Sequence, residues 1–141
     1  AHPYPKCGEI DIMEHVGHEP PNIYATAHWW NPKKPNGLES AGMYTNWAWH
    51  DVHAPSPANG FHTYALEWDE EKLEFFFDGH PYHRVDVARA EQEGYNPFKH
   101  PHYLILNFAI GGNWGGKKGI EDAAFPQSYL IDWVRLYQRR K

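Results

Sequence analysis

Turn chemistry recurs along this chain so often that no long uninterrupted segment is left for a helix, and that constrains the fold more than any other feature. The clearest case is KLEFFFDGHPYHRVDV, residues 72–87, where Asp78-Gly79 separates two strand-like halves. A two-residue hairpin loop needs φ > 0 at both positions, which Asp-Gly supplies. Further breaks fall at NPKKPNGL (31–38), HAPSPANG (53–60) and GGNWGGKKG (111–119). Prolines and Asn-Gly or Gly-Gly pairs cannot be held in a central ladder, so these read as surface loops. Strand-like segments lie between them at 8–16, 23–30, 42–50, 61–68, 103–110 and 129–137, with one short helical turn expected over 88–93. Short strands separated by turn clusters predict an all-β fold, an antiparallel β-sandwich. In it 103–110 is a buried strand and 129–137 the last one; a closed barrel satisfies the same pattern. With 141 residues the chain supports one core, so a single domain over 1–141 is expected.

The chemistry concentrates in the first strand. GEIDIMEHV, residues 8–16, puts Glu9, Asp11 and Glu14 within six residues. On a regular strand Glu9 and Asp11 share a face and Glu14 points to the other. A β-bulge at Ile12-Met13 adds one residue to this strand against its partner and returns Glu14 to the shared face. A helix does worse, since a five-residue step turns the side chain by about 140°. With the bulge, the two glutamates stand roughly 13 Å apart along the backbone. Side chains leaning inward bring their carboxyl groups to roughly 5 to 6 Å, the spacing at which one attacks an anomeric carbon while the other protonates the leaving oxygen. Three neighbouring acids in a groove cannot all be charged cheaply, so one must hold a proton. Asp11, between the glutamates, is placed to orient Glu9. The pattern does not say which glutamate is acid and which nucleophile, and a solvated acidic strand face or a cation site are the bland alternatives.

Seven Trp and nine Tyr are more than a core of this size needs, and flat amphipathic rings suit stacking on sugars. The net charge of −5 argues against nucleic acid and against an anionic membrane as partners. No segment approaches a membrane span, and no charged-then-apolar leader opens the chain. The lone Cys7 has no intramolecular disulfide partner and no local signature of a nucleophile. Eleven histidines include His50-Asp51-Val52-His53 and His100-Pro101-His102. Their spacings fall in Pro-rich loops, not on one helix face or on paired strands, so no catalytic metal or other cofactor is expected from them.

GEIDIMEHVG resembles the acidic signature of family 16 of the glycoside hydrolases, with the extra Met that marks its endo-β-1,3-glucanases, the laminarinases. The resemblance continues in family order through ATAHW (25–29), FHTYALEW (61–68), FFFDG (75–79), LNFAIGGNWGG (106–116) and IDWVRLY (131–137). It implies a β-jelly-roll whose concave sheet binds a β-glucan, with Glu9 as nucleophile, Glu14 as acid/base and Asp11 in support. It also implies substrate-binding roles for His28, Trp29, Asn107, Asn113 and Trp114, and a structural calcium with Asp132 among its ligands. Members of the family are secreted or periplasmic, so this is expected to be a processed or trimmed chain. They carry a long part of both sheets ahead of the acidic strand, which here opens at position 8. The expectation is therefore an incomplete or rearranged jelly roll, the C-terminal portion of the catalytic sandwich: either a second chain or copy supplies the rest, or the domain is truncated or rearranged with compromised activity. Two other readings share the sandwich. One is a β-glucan-binding module that does not cleave. The other is a hydrolase of galactans such as agar or carrageenan, for which Lys33, Lys34, Lys117 and Lys118 would meet sulfates.

Overall fold

The structure, a computed structural model, describes residues 2–46, 57 and 60–139. Its strands form two antiparallel three-stranded sheets. The first runs β1 (Glu9–Glu14), β2 (Asn22–Trp30), β3 (Leu38–Asn46); the second runs β4 (Tyr64–Trp68), β5 (Lys72–Phe77), β6 (His80–Asp86). The architecture is the predicted all-β one, an incomplete sandwich of jelly-roll type. Contacts divide the chain into two compact units, Ala1–Leu104, which holds both sheets, and Ile105–Lys141. Among the described residues no helix is long and apolar enough to cross a membrane.

Alternation along the central strands builds the core of the first unit. In β2, Ile23, Ala25, Ala27 and Trp29 are buried while Tyr24, Thr26, His28 and Trp30 stay half-buried on the other side. In β5, Leu73, Phe75 and Phe77 are buried in the same alternating way. One cluster joins Ala25, Ala27, Trp29 and Ala41 from the first sheet to Leu73, Phe75 and Val85 from the second, closed by Val87, Ala90 and Phe98. The two sheets are held chiefly by removing these apolar faces from water. The small residues at 25, 27 and 41 let the large rings of Trp29, Phe75 and Phe98 interdigitate at native density.

The Asp78-Gly79 hairpin forms as expected, with φ of 46° and 80° at the two turn residues. Asp78 also ties the turn to the segment ahead of β4, accepting from Thr63 N at 2.8 Å and pairing with His62 Nδ1 at 2.7 Å. The expected helical turn is a short 3-10 helix over Val87–Ala90. Part of the predicted 42–50 strand, together with the His50-Asp51-Val52-His53 run, lies outside the described residues.

Two expectations fail. Residues 103–110 and 129–137 are not strands. Their apolar side chains are exposed rather than buried, from Ile131 at 44% to Leu136 at 96%. The reason is physical: an apolar alternation becomes a strand only where a neighbouring ladder takes its N–H and C=O groups, and among the described residues no strand pairs with either run.

Candidate active site on the open face of the first sheet

The position of Glu14 depends on one irregularity. Glu9, Ile10 and Asp11 pair in order with His28, Ala27 and Thr26, but Glu14 pairs with Tyr24. Three residues on β1 thus span two on β2, which is a bulge at Ile12-Met13. Met13 packs with Ile23 and Phe77 on the core side. Paired residues of an antiparallel ladder share a face, so Glu9, Asp11 and Glu14 stand with His28, Thr26 and Tyr24, opposite to the core.

Three rows cross this face from β1 to β3: Glu9–His28–Ser40, Asp11–Thr26–Gly42, and Glu14–Tyr24–Tyr44. The middle row is low. A Cβ on Gly42 would stand 3.0 Å from Thr26 Oγ1, so the absent side chain keeps the floor open. Aromatic rings border it on both sides. Tyr24 and Tyr44 lie 5.7 Å apart, and beyond His28 comes Trp30, whose ring has Lys6 Nζ 4.6 Å from its centroid. Trp30 also rests against Gly37, where a Cβ would fall 2.8 Å from the indole. The result is a shallow trough with carboxyl groups along one end, polar side chains in the floor and flat rings on the flanks.

The charges are tightly linked. His28 Nε2 lies 3.2 Å from Asp11 Oδ2, and His28 Nδ1 lies 2.7 Å from Ser40 Oγ. Asp11 Oδ2 is shut off from solvent and lacks a well-aligned hydrogen bond, so the ring nitrogen is its principal compensation. Burial holds the Glu9 carboxyl above its usual range, reinforced by the charge of Asp11 and a hydrogen bond to it. Burial also raises Glu14, as does Asp11, while His28 and a hydrogen bond from Thr26 pull the other way. The hydrogen bond to Asp11 raises the His28 imidazole against the opposing effect of its own burial. Partial burial, then the charges of Glu9 and Asp11, push the Tyr4 phenol up, which places Tyr4 beside the same acids.

Gly8 sets the entry to β1. Its φ is +76°, and a Cβ there would come within 2.6 Å of Pro97 Cβ, so only glycine brings the chain past Pro97 into Glu9.

The structure thus brings Glu9, Asp11, Glu14 and His28 onto one face. It does not bring Trp29 there. Trp29 is 1% exposed on the core side, edge-on to Phe98 at 6.0 Å, which corrects the expectation that it lines the cleft. The residue on the acid face is its neighbour Trp30. Asn107, Asn113 and Trp114 belong to the second unit, where all three are exposed. Asp132 also lies there on an exposed run, flanked by exposed Leu130, Val134 and Leu136, not by the apolar burial expected around it. Among the described residues no three His, Cys, Asp or Glu side chains gather to hold an ion. His100 stacks on Tyr95 at 4.9 Å and His102 meets Trp68 edge-on at 5.3 Å, both in aromatic packing.

Tyr4, Lys6, Thr26, Trp30, Ser40 and Gly42 were not singled out by the sequence reading. Parity alone would have found Thr26 and Trp30, since they share the register of His28 along β2. Ser40 and Gly42 required the β2–β3 register, and Tyr4 and Lys6 required the path of the segment before β1.

A family model described as Glycosyl hydrolases family 16 matches residues 2–135. A β-glucanase of Rhodothermus marinus is 35% identical over 139 residues, covering 96% of this chain and 46% of that protein. The laminarinase structure from Rhodothermus marinus superposes with a TM-score of 0.68 at 32% identity, covering 89% of this chain and 49% of that one. A non-specific endo-β-1,3(4)-glucanase superposes with a TM-score of 0.69 at 39% identity, covering 87% of this chain and 43% of that one. The chain therefore spans about half the length of the relatives it matches.

Proposed function

Because the chain belongs to the family 16 glycosyl hydrolases, we propose that the trough on its first sheet takes a β-1,3-glucan or mixed β-1,3/1,4-glucan and cleaves it internally with retention of configuration. Glu9 is the nucleophile and Glu14 the acid/base. The observation that carries this reading is the bulge that sets Glu14 on the face of Glu9 and Asp11. Glu14 is the less exposed of the two glutamates, which suits the group that must keep its proton until the bond breaks. Glu9 and Asp11 share a hydrogen bond.

In the first step a Glu9 oxygen bonds to the anomeric carbon as the glycosidic bond breaks, and Glu14 gives its proton to the departing sugar oxygen. In the second step water attacks the anomeric carbon, Glu14 takes a proton from it, and the ester to Glu9 breaks. Two inversions give net retention. The flanking rings of Tyr24, Tyr44 and Trp30 offer flat faces to the pyranose rings. A polysaccharide substrate lies outside the cell, so the site of action is extracellular or periplasmic. The exposed apolar side chains of the second unit are covered, on this reading, by further sandwich polypeptide from another segment, chain or copy.

The test is incubation with laminarin and with mixed-linkage glucan, measuring reducing ends for wild type and Glu9→Gln. Product from the wild type, lost in the variant, is expected. Binding without product in the wild type would make this a glucan-binding module, and product from agar or carrageenan alone would move the substrate to galactans.

A further inference from the structure

We propose that Ser40, on β3, is a positioning residue for the acid face: its hydroxyl holds the His28 ring with Nε2 turned to Asp11 in both protonation states of the imidazole. The geometry is a line of three side chains across three strands. Asp11 Oδ2 lies 3.2 Å from His28 Nε2, and His28 Nδ1 lies 2.7 Å from Ser40 Oγ. Glu9–His28–Ser40 is a single cross-strand row, so the register of both ladders places the hydroxyl beside the ring.

An imidazole that must serve a carboxylate through one nitrogen can turn over or change tautomer unless its other nitrogen is held. A hydroxyl suits both states. It donates to Nδ1 when the ring is neutral and accepts from Nδ1–H when the ring is charged. Either way the hydrogen of Nε2 stays on Asp11. The groups facing His28 are Asp11, Glu9 and Glu14 from β1, with Ser40 from β3 and Thr26 next in register on its own strand. A ring turned away from Asp11 would leave the enclosed Oδ2 without its compensating contact. Ser40 itself is exposed in the free protein, where water can substitute for it. A glucan laid over the sheet removes that water, so the hydroxyl matters most in the substrate complex.

The catalytic part of this inference rests on the glucan-hydrolase reading, whereas the orientation of the ring is measurable without it. The experiment compares wild type, Ser40→Ala and Ser40→Thr in the full chain. The readouts are 15N-resolved NMR titration of His28, kcat and KM on laminarin across pH, and thermal melts to verify folding. Because Ser40 is exposed, its truncation opens no core cavity and the alanine variant is expected to melt like wild type. In wild type the neutral ring carries its hydrogen on Nε2. Ser40→Ala should give a mixture of tautomers and a lower titration midpoint, because the charged ring loses the stronger hydrogen bond. It should also lower kcat about tenfold with KM within about twofold, as expected for a hydrogen bond to an ionisable group. Ser40→Thr should restore all three. A His28 titration and tautomer unchanged in Ser40→Ala would overturn the proposal, and a changed ring with unchanged kcat would overturn its role in catalysis. If the wild type shows no turnover while the NMR response follows this pattern, the hydrolase reading fails and the ring-holding role stands.

Discussion

Asp11 and Glu14 are three residues apart in the chain, yet they stand opposite Thr26 and Tyr24, which are two apart on β2. The extra residue is absorbed at Ile12-Met13, and it makes Glu14 part of the acid face instead of the core. With the one-residue bulge retained, a single alanine inserted after Met13 puts Glu14 opposite Ile23 and turns it inward. Turnover on laminarin should fall at least ~10³-fold, within the range set by losing a general acid. Deleting Met13 leaves two residue steps on β1 against two on β2, which keeps Glu14 opposite Tyr24 on the face of Glu9. The deletion variant should therefore retain more activity than the insertion variant, and the opposite ranking would show that the bulge does not set the site.

The raised glutamates make a signed statement about stability. A carboxyl whose folded value lies above 4.5 favours the protonated form in the native state. The stability it adds is present below the unfolded value and is lost as pH rises through the folded one. At pH 7 the charged Glu14 is therefore a cost, and Glu14→Gln should melt at a higher temperature than wild type while losing activity. At pH 4 the difference should shrink, because the glutamate is then largely protonated in both states. Melts at the two pH values check this, and a destabilised Glu14→Gln at pH 7 would refute it. His28 runs the same way, over a higher pH window. Its raised imidazole adds stability below 6.5 that disappears as pH rises through its folded value.

Adjacent tryptophans should part company. Trp29 fills the core against Phe98, so Trp29→Ala should cost about 3–5 kcal/mol and abolish the folding transition in a marginal domain. Trp30 lies on the open face beneath Lys6, so Trp30→Ala should melt within a few degrees of wild type while weakening laminarin binding about tenfold. Affinity electrophoresis in laminarin gels, run beside thermal melts, separates the two effects.

Gly8 is held by two independent constraints, a φ of +76° and the 2.6 Å approach to Pro97. Gly8→Ala should destabilise the chain by about 1–3 kcal/mol and lower activity further by displacing Glu9. A urea melt that matches wild type would contradict this.

Much of this was legible in the residues themselves. The Asp78-Gly79 turn, the alternation of β2 and β5 and the need for a bulge in GEIDIMEHV are local facts, because each depends on φ/ψ preference or side-chain parity over a few residues. The acid face follows from that parity. Trp29 shows the limit of the resemblance, because position in a motif suggested the cleft while parity with buried Ile23, Ala25 and Ala27 puts it in the core. Ser40 and Gly42 became part of the site only through the β2–β3 register, which joins residues far apart in sequence. The runs 103–110 and 129–137 have strand-like patterns and no strand. Pattern measures what a segment can pair with, and whether it pairs is decided by tertiary structure, because a ladder needs a second backbone to take its hydrogen bonds and a second face to exclude water.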